Sequence, residues 1–207
     1  MNKAVIALVL CAGESSRMGS PKALLPWGNT CVLGHILEQV EAAGIHRIIV
    51  VTGAHDKAIR AISPKVASVC HTNPDWRSGM GSSIRTGVIA ARQQFEALEG
   101  YLILLGDQPL LRPSYIKKML LAFTEDPGGI VASKYPEGAG VPALFPDAYS
   151  GALLELSDSG GARALLRSDA TRIRLQPPSD SGRDMDTPEA YQKLLETWNK
   201  RQQKNDP

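Results

Sequence analysis

The sequence reads as an α/β protein, a mostly parallel sheet with helices on both faces. Three features carry that reading. Short β-rich apolar runs alternate with stretches of helical periodicity along most of the chain. The first run, residues 4–10, is apolar without a break, as a strand covered on both faces must be. The connection after it, residues 11–29, is long for a strand-to-helix link, and such loops inside compact domains usually carry function.

The elements follow in order. Thr30 stands where a helix cap is wanted, before the apolar stripe Val32, Leu33, Ile36, Leu37 and Val40, and Gly44 ends that helix. Residues 47–52 read as a second strand, 55–62 as a short helix and 66–70 as a third strand. The loop 73–80 leads into a helix predicted over 81–98. Residues 101–105 make a fourth strand, Pro113 opens the next helix, and 129–133 read as another strand. Past Tyr135 the alternation weakens. The run 141–145 contains Pro142, which suits an edge or irregular strand better than a central one. Residues 135–175 are therefore expected to form a sub-structure laid over the C-terminal edge of the sheet. A last helix is expected over 188–200, capped by Thr187, with a frayed polar tail behind it.

Composition narrows the function. Hydrophobic residues at 43% and charged residues at 21% describe a globular chain, too apolar for disorder. A net charge of +2 argues against a general nucleic-acid binder, which shows a gathered basic excess. Cys11, Cys31 and Cys70 are odd in number and form no C-x-x-C pair, which disfavours a disulfide framework or a cysteine-rich zinc site and fits a reducing, cytoplasmic setting. Lys3 with the run 4–10 and Cys11 imitates a short lipoprotein signal. Its basic region is a single lysine and bulky Leu10 precedes the cysteine, so a buried strand explains it better. No stretch approaches the roughly 20 apolar residues of a membrane span.

The chemistry is concentrated in Leu10-Cys11-Ala12-Gly13-Glu14-Ser15-Ser16-Arg17-Met18-Gly19-Ser20-Pro21-Lys22. A buried strand ends there and a loop rich in glycine, serine and cations begins. Glycines let backbone N–H groups approach phosphate oxygens, Arg17 can grip phosphate through paired hydrogen bonds, and Lys22 supplies a point charge. Composition alone would equally allow a solvated loop. Neither G-x-x-x-x-G-K-[ST] nor G-x-G-x-x-G is present, which disfavours a dehydrogenase. Asp107, in Gly106-Asp107-Gln108-Pro109 at the end of the fourth strand, either caps a turn or binds Mg²⁺ beside phosphates. Asp184-Met185-Asp186-Thr187-Pro188 is, taken alone, an ordinary helix start. Ser82 and Ser83 either cap a helix or present its N-terminus to an anion or ribose.

The first loop closely resembles the L-x-[AG]-G-x-S-x-R-M-G-x-x-K signature of nucleotidyltransferases with the nucleotide-diphospho-sugar transferase fold, and the resemblance runs from Val9 to about Leu195. The continuation through residues 22–28, the G-D-Q-P turn, and the runs 138–145 and 158–166 resemble the molybdenum cofactor cytidylyltransferases among the MobA-like NTP transferases. Cys11 departs from that pattern, where alanine is common, and so does Ser159-Gly160, which shifts Asp158 against it. Ala12, where the guanylyl branch commonly has glycine, points to CTP.

The resemblance implies a Rossmann-like fold and transfer of CMP from CTP to the terminal phosphate of molybdopterin, with release of pyrophosphate. It implies Mg²⁺ as cofactor on Asp107 and Asp186, the latter preferred to Asp184. Ala12, Gly13, Glu14 and Ser15 would cradle the triphosphate with Arg17, and Lys22 would offset charge near the α-phosphate. Asn73, Gly79 and Ser82 would face the base and ribose, with Trp76 structural. Arg163 and Lys134 are candidate cations for the acceptor phosphate. The domain would span 1–198, with a nucleotide-binding half at 1–134, an acceptor-binding sub-structure at 135–180 and a polar tail at 199–207. His35, His46, His55 and His71 receive no role. The rivals are a guanylyltransferase, transfer to another phosphorylated acceptor, and a non-catalytic carrier serving a client molybdoenzyme.

Overall fold

Successive residues of a strand point to opposite faces, and in β1 (Ala4–Cys11) both sets are apolar because both faces are covered. Ile6, Leu8 and Leu10 enter one core, Ala7 and Val9 the other. The computed structural model describes residues 4–62, 68–168, 173–176 and 185–205. After β1 come a two-stranded hairpin, β2 (Pro26–Trp27) and β3 (Thr30–Cys31), and then α1 (Val32–Ala42). β4 (Ile48–Thr52), α2 (Asp56–Ile62), β5 (Ser68–Thr72), α3 (Met80–Gln94), β6 (Leu98–Leu105) and α4 (Pro113–Glu125) follow. The rest comprises β7 (Ile130–Tyr135), β8 (Gly138–Pro146), α5 (Ser150–Leu154), α6 (Gly161–Ser168), β9 (Ile173–Gln176) and α7 (Pro188–Asn205).

Seven strands form one sheet in the order β5-β4-β1-β6-β8-β7-β9. β5, β4, β1 and β6 are mutually parallel, β8 runs antiparallel to β6 and β7, and β9 is parallel to β7. α1, α4 and α7 cover one face, while α3, α5 and α6 cover the other. The expected α/β architecture is thus the observed one. Among the described residues, no helix is long and apolar enough to cross a membrane.

Several local expectations are corrected. Thr30 pairs with Trp27 in the hairpin, and the cap of α1 is Cys31, whose Sγ accepts the Gly34 N–H at 3.4 Å. α3 stops at Gln94, because residues 98–100 are already strand beside β1. β8 is an interior strand, although it contains Pro142. The pairing to β7 skips from Ala143 to Gly140, so Pro142 falls where the ladder asks for no N–H. The stretch expected to overlie the sheet's edge instead supplies β8 and β9 to the sheet itself. Thr187 does cap α7, its Oγ1 accepting the Ala190 N–H at 3.2 Å, and the helix continues through Asn205 where a frayed tail was expected.

Candidate active site

Four parallel strands end at one rim, so the loops after β1, β4, β5 and β6 gather there, as ligand sites of open α/β sheets do. They enclose a cavity of about 350 Å³. Ala12, Gly13, Ser15 and Lys22 line it from the first loop, His55 from the second, Trp76, Gly79, Met80 and Ser83 from the third, and Gly106 and Asp107 from the fourth.

The first loop is drawn tight against the second. Ala12 O accepts the Ala54 N–H at 3.1 Å, and His55 Nε2–H donates to Glu14 O at 2.9 Å. Because N–H and C=O oppose each other across a trans peptide, these bonds turn the N–H groups of Gly13 and Ser15 away from the second loop. Ser15 adopts a left-handed backbone (φ 57°), uncommon for a non-glycine residue and recurrent at ligand sites. Its Oγ accepts the Lys22 N–H at 3.2 Å, closing the loop onto the turn Lys22–Leu24. Arg17 lies in the turn Ser16–Met18, but its side chain lies outside the described atoms, as does the whole of Asp184.

Lys22 is the centre of the site. Its ammonium donates to Asp107 Oδ2 at 3.1 Å and to Asp186 Oδ1 at 2.5 Å, joining groups 85 and 164 residues away in sequence. Asp107 hangs from the end of β6, and Asp186 from the start of α7, where Met185 is fully buried and anchors the approach. Partial burial works to lower the Lys22 pKa, but the hydrogen bond to Asp186 and the charge of Asp107 outweigh it and raise the pKa above the ordinary lysine value. The group is therefore a firm cation at neutral pH. Two carboxylates converging on one positive centre also make the donor set that Mg²⁺ uses, since it takes one or two carboxylates and completes its shell with phosphate oxygens and water. Among the described residues no cluster of three or more His, Cys, Asp or Glu could hold a metal unaided. A phosphate-completed site is the kind that these residues fit.

The expected ribose contacts come out differently. Asn73 is buried, its Nδ2 donating to Ser82 Oγ (2.8 Å) and Ser83 Oγ (3.1 Å) while its Oδ1 accepts the Asp75 N–H (3.0 Å). Ser82 Oγ lies 2.7 Å from Gly79 O and 3.0 Å from Asp75 O, within reach of donating to either. Both side chains brace the third loop from behind, and the cavity wall is made by their neighbours Gly79 and Ser83. Trp76, expected to be structural, also faces the cavity, with the Arg77 guanidinium 4.2 Å from its ring centre. Arg163 and Lys134 are exposed and do not line the cavity. Asp158 is paired to Arg85, and its carbonyl accepts the Gly81 N–H at 2.8 Å, so the 157–161 segment seals the start of α3. Gly79 and Gly81 permit that contact, because a Cβ there would lie 2.4 Å from Asp158 O and 2.0 Å from Ser157 O.

Two residues were missed. His55 holds Glu14 and lines the cavity, yet no metal-ligand spacing marks it in the sequence. Cys11 fills the space against Gly106, where a Cβ would come within 2.1 Å of its Sγ. Desolvation, then the neighbouring Asp107 carboxylate, push the Cys11 thiol well above its usual pKa, so it is packing and not a thiolate.

Comparison with known proteins bears on this geometry. A family profile described as the MobA-like NTP transferase domain matches residues 7–174. The chain is 31% identical over 202 residues to the nicotine blue oxidoreductase of Paenarthrobacter nicotinovorans, covering 92% of this chain and 96% of that protein. It is 26% identical over 197 residues to the purine catabolism protein PucB of Bacillus subtilis (strain 168), covering 90% and 94%. Among solved structures, Rv0371c from Mycobacterium tuberculosis H37Rv superposes with a TM-score of 0.80 at 28% identity, covering 94% of this chain and 98% of that one. The same protein is known in complex with manganese (TM-score 0.76, 27% identity, 95% and 100% covered). The chain belongs to the MobA-like NTP transferase domain family, a family of nucleotidyltransferases.

Proposed function

We propose that this protein transfers CMP from CTP to the terminal phosphate of a molybdopterin-type cofactor and releases pyrophosphate. The observation that carries the reading is the convergence of Asp107 and Asp186 on Lys22 beside a glycine-lined cavity. An oxygen of the acceptor phosphate forms the new bond to the α-phosphorus, and the bond to the oxygen bridging to the β-phosphate breaks. The acceptor is already an anion, so no general base is required. Such chemistry is positioning plus neutralisation of charge.

The N–H groups of residues 12–15 cradle the β- and γ-phosphates together with Arg17. Lys22 offsets charge that grows around the α-phosphate. Asp107 and Asp186 would hold Mg²⁺, and the ion would supply Lewis-acid stabilisation of the phosphate charge. The manganese complex of Rv0371c supports divalent-metal use in a protein of this architecture. Gly79, Ser83 and Trp76 border the remaining space, which this reading assigns to the base and ribose. Arg163 and Lys134 need a loop movement or a large acceptor to take part, since both lie on the outer surface.

A second reading is favoured by one observation, the 31% identity across nearly the whole length of a protein named as an oxidoreductase. One experiment separates the two. The protein is incubated with each NTP, Mg²⁺ and molybdopterin, and pyrophosphate is followed, while a parallel sample with a reduced nicotinamide nucleotide and a reducible dye as hydride acceptor is followed by absorbance. Oxidation of the nucleotide without pyrophosphate release in the first sample supports the redox reading. Pyrophosphate release with CTP above the other NTPs supports the proposal. GTP preference makes the protein a guanylyltransferase, release only with another phosphorylated acceptor reassigns that substrate, and cofactor binding without release indicates a carrier.

A further inference from the structure

We infer that His55 is a positioning residue for the terminal phosphates of the nucleotide, acting through the peptide group that joins Glu14 to Ser15. Its Nε2–H donates to the Glu14 carbonyl at 2.9 Å. That carbonyl and the Ser15 N–H belong to one planar peptide group and point opposite ways, so holding the first sets the direction of the second. Ser15 has φ 57°, a left-handed conformation that a non-glycine residue keeps only where its surroundings hold it. Two bonds bracket it, the one from His55 to the preceding carbonyl and the one from the Lys22 N–H to Ser15 Oγ at 3.2 Å. The matching anchor at Ala12, which takes the Ala54 N–H at 3.1 Å, is backbone to backbone. Any residue but proline could supply that one, whereas the bond to Glu14 needs a donating side chain at position 55.

The ring can serve as a fixed point because the loop that carries it is itself fixed. Asp56, next in sequence, accepts from Thr52 Oγ1 at the end of β4, from Thr72 Oγ1 at the end of β5 (2.8 Å) and from Arg60 Nε (2.9 and 3.0 Å). Arg60 also donates to Thr72 Oγ1 at 2.9 Å. Thr52 and Thr72 are register partners in the parallel ladder, so the carboxylate spans two strand ends. The start of the loop is packed between its neighbours, since a Cβ at Gly53 would lie 2.4 Å from Ala12 O and 2.7 Å from Trp76 Cβ. Movement of the second loop is thereby restrained, and His55 carries that restraint to the first. Loss of one oriented N–H to an anionic phosphate costs about tenfold or more in affinity.

This inference rests on the first loop holding phosphates, and the test keeps the two apart. Binding of magnesium pyrophosphate, a group common to every NTP, is measured by isothermal titration calorimetry for wild type, Gly13→Glu, His55→Leu and His55→Gln. A Cβ at Gly13 meets nothing within 4 Å, so Gly13→Glu adds a carboxylate to the cradle without crowding the fold and should abolish binding. His55→Leu should weaken binding about tenfold or more, while His55→Gln, whose amide returns an N–H at similar reach, should recover most of it. Wild-type affinity in His55→Leu overturns the inference, and so does an equal loss in both His55 variants, which would mark a packing role. If wild type fails to bind pyrophosphate, or Gly13→Glu binds it as well as wild type, the phosphate reading of the loop falls and hydrogen exchange decides the positioning role. His55→Leu must then speed exchange in residues 13–16 and His55→Gln must restore it, and unchanged exchange in His55→Leu overturns it.

Discussion

Gly106→Ala tests whether the Asp107 carboxylate is placed by steric fit between two strand ends. A Cβ at Gly106 would lie 2.1 Å from Cys11 Sγ and 3.1 Å from Leu10 O. Non-bonded contacts of this kind settle near 3.5–4.0 Å, so something must move by roughly 1.5 Å. Cys11 has one side-chain torsion and its sulfur packs against the core, while the Gly106 N–H is tied to Leu10 O at 2.9 Å. The shift therefore falls largely on the end of β6, which carries Asp107. Overpacking of this kind costs about 1–3 kcal/mol in stability, and a misplacement near 1 Å costs about 10²-fold in turnover. Cys11→Ala alone should cost about 1 kcal/mol for the lost sulfur contacts. The double variant should recover most of both losses, short of full recovery because the Leu10 O contact remains, giving a coupling energy of about 1–2 kcal/mol. Urea midpoints at constant slope and pyrophosphate release read the two effects. Strictly additive losses, or a Gly106→Ala protein indistinguishable from wild type, would refute the argument.

Three further perturbations address the charges. Lys22→Met should lower turnover about 10²-fold or more while costing at most about 1 kcal/mol of stability, because its partners are partly solvated. Without its ammonium between the carboxylates, nucleotide-free Mn²⁺ affinity should rise, and a fall would show that Lys22 helps to build the metal site and does not compete for it. Asp107→Asn should shift the Mg²⁺ dependence of pyrophosphate release to higher concentration, and an unchanged titration would remove Asp107 from the metal. His35 adds a pH signature. Its folded-state pKa lies below the ordinary 6.5, so the unfolded chain binds the proton more readily. The stability that the neutral ring contributes is present above about pH 6.5 and is lost as pH falls through the folded-state value. His35→Phe should flatten the decline of the urea midpoint in that acid range, and parallel curves for the two proteins would contradict burial of a neutral ring.

What could be read from the sequence was what depends on local periodicity or on short contiguous patterns. The double-faced strand β1, the glycine end of α1 (Gly44 φ +95°), Pro113 at the start of α4 and the cap at Thr187 each leave a mark within a few residues. The meeting of Asp107 and Asp186 was inferred only through resemblance, since nothing local links positions so far apart. Pro142 misled because its cost depends on whether the ladder needs an N–H there, and the pairing that answers this lies on β7. Asn73 and Ser82 misled for a related reason. A polar pair beside a helix N-terminus serves a ligand or braces a loop with equal ease, and only the bonds to Asp75 and Gly79 decide for bracing. His55 left no trace, because its partner is the backbone carbonyl of Glu14, which any residue type could present.

The chemistry of the rim also bears on how a relative named for redox work can share this architecture. The parallel strands deliver four loops to one place whatever the reaction, and the core that holds them is indifferent to what the loops carry. The discriminating feature is the carboxylate pair. A nicotinamide dinucleotide brings phosphates of its own, and two carboxylates with the single ammonium of Lys22 between them leave a net negative charge facing those phosphates, which hydride transfer does not itself call for. A triphosphate with its divalent ion needs such a pair, and Lys22 then has a reason to lie between them, satisfying both carboxylates until the ion and the nucleotide take its place. Hence the redox reading requires that Asp107→Asn leave reduction of the acceptor intact, whereas the nucleotidyl reading requires that the same change remove metal-dependent turnover. A single variant, assayed both ways, discriminates between them.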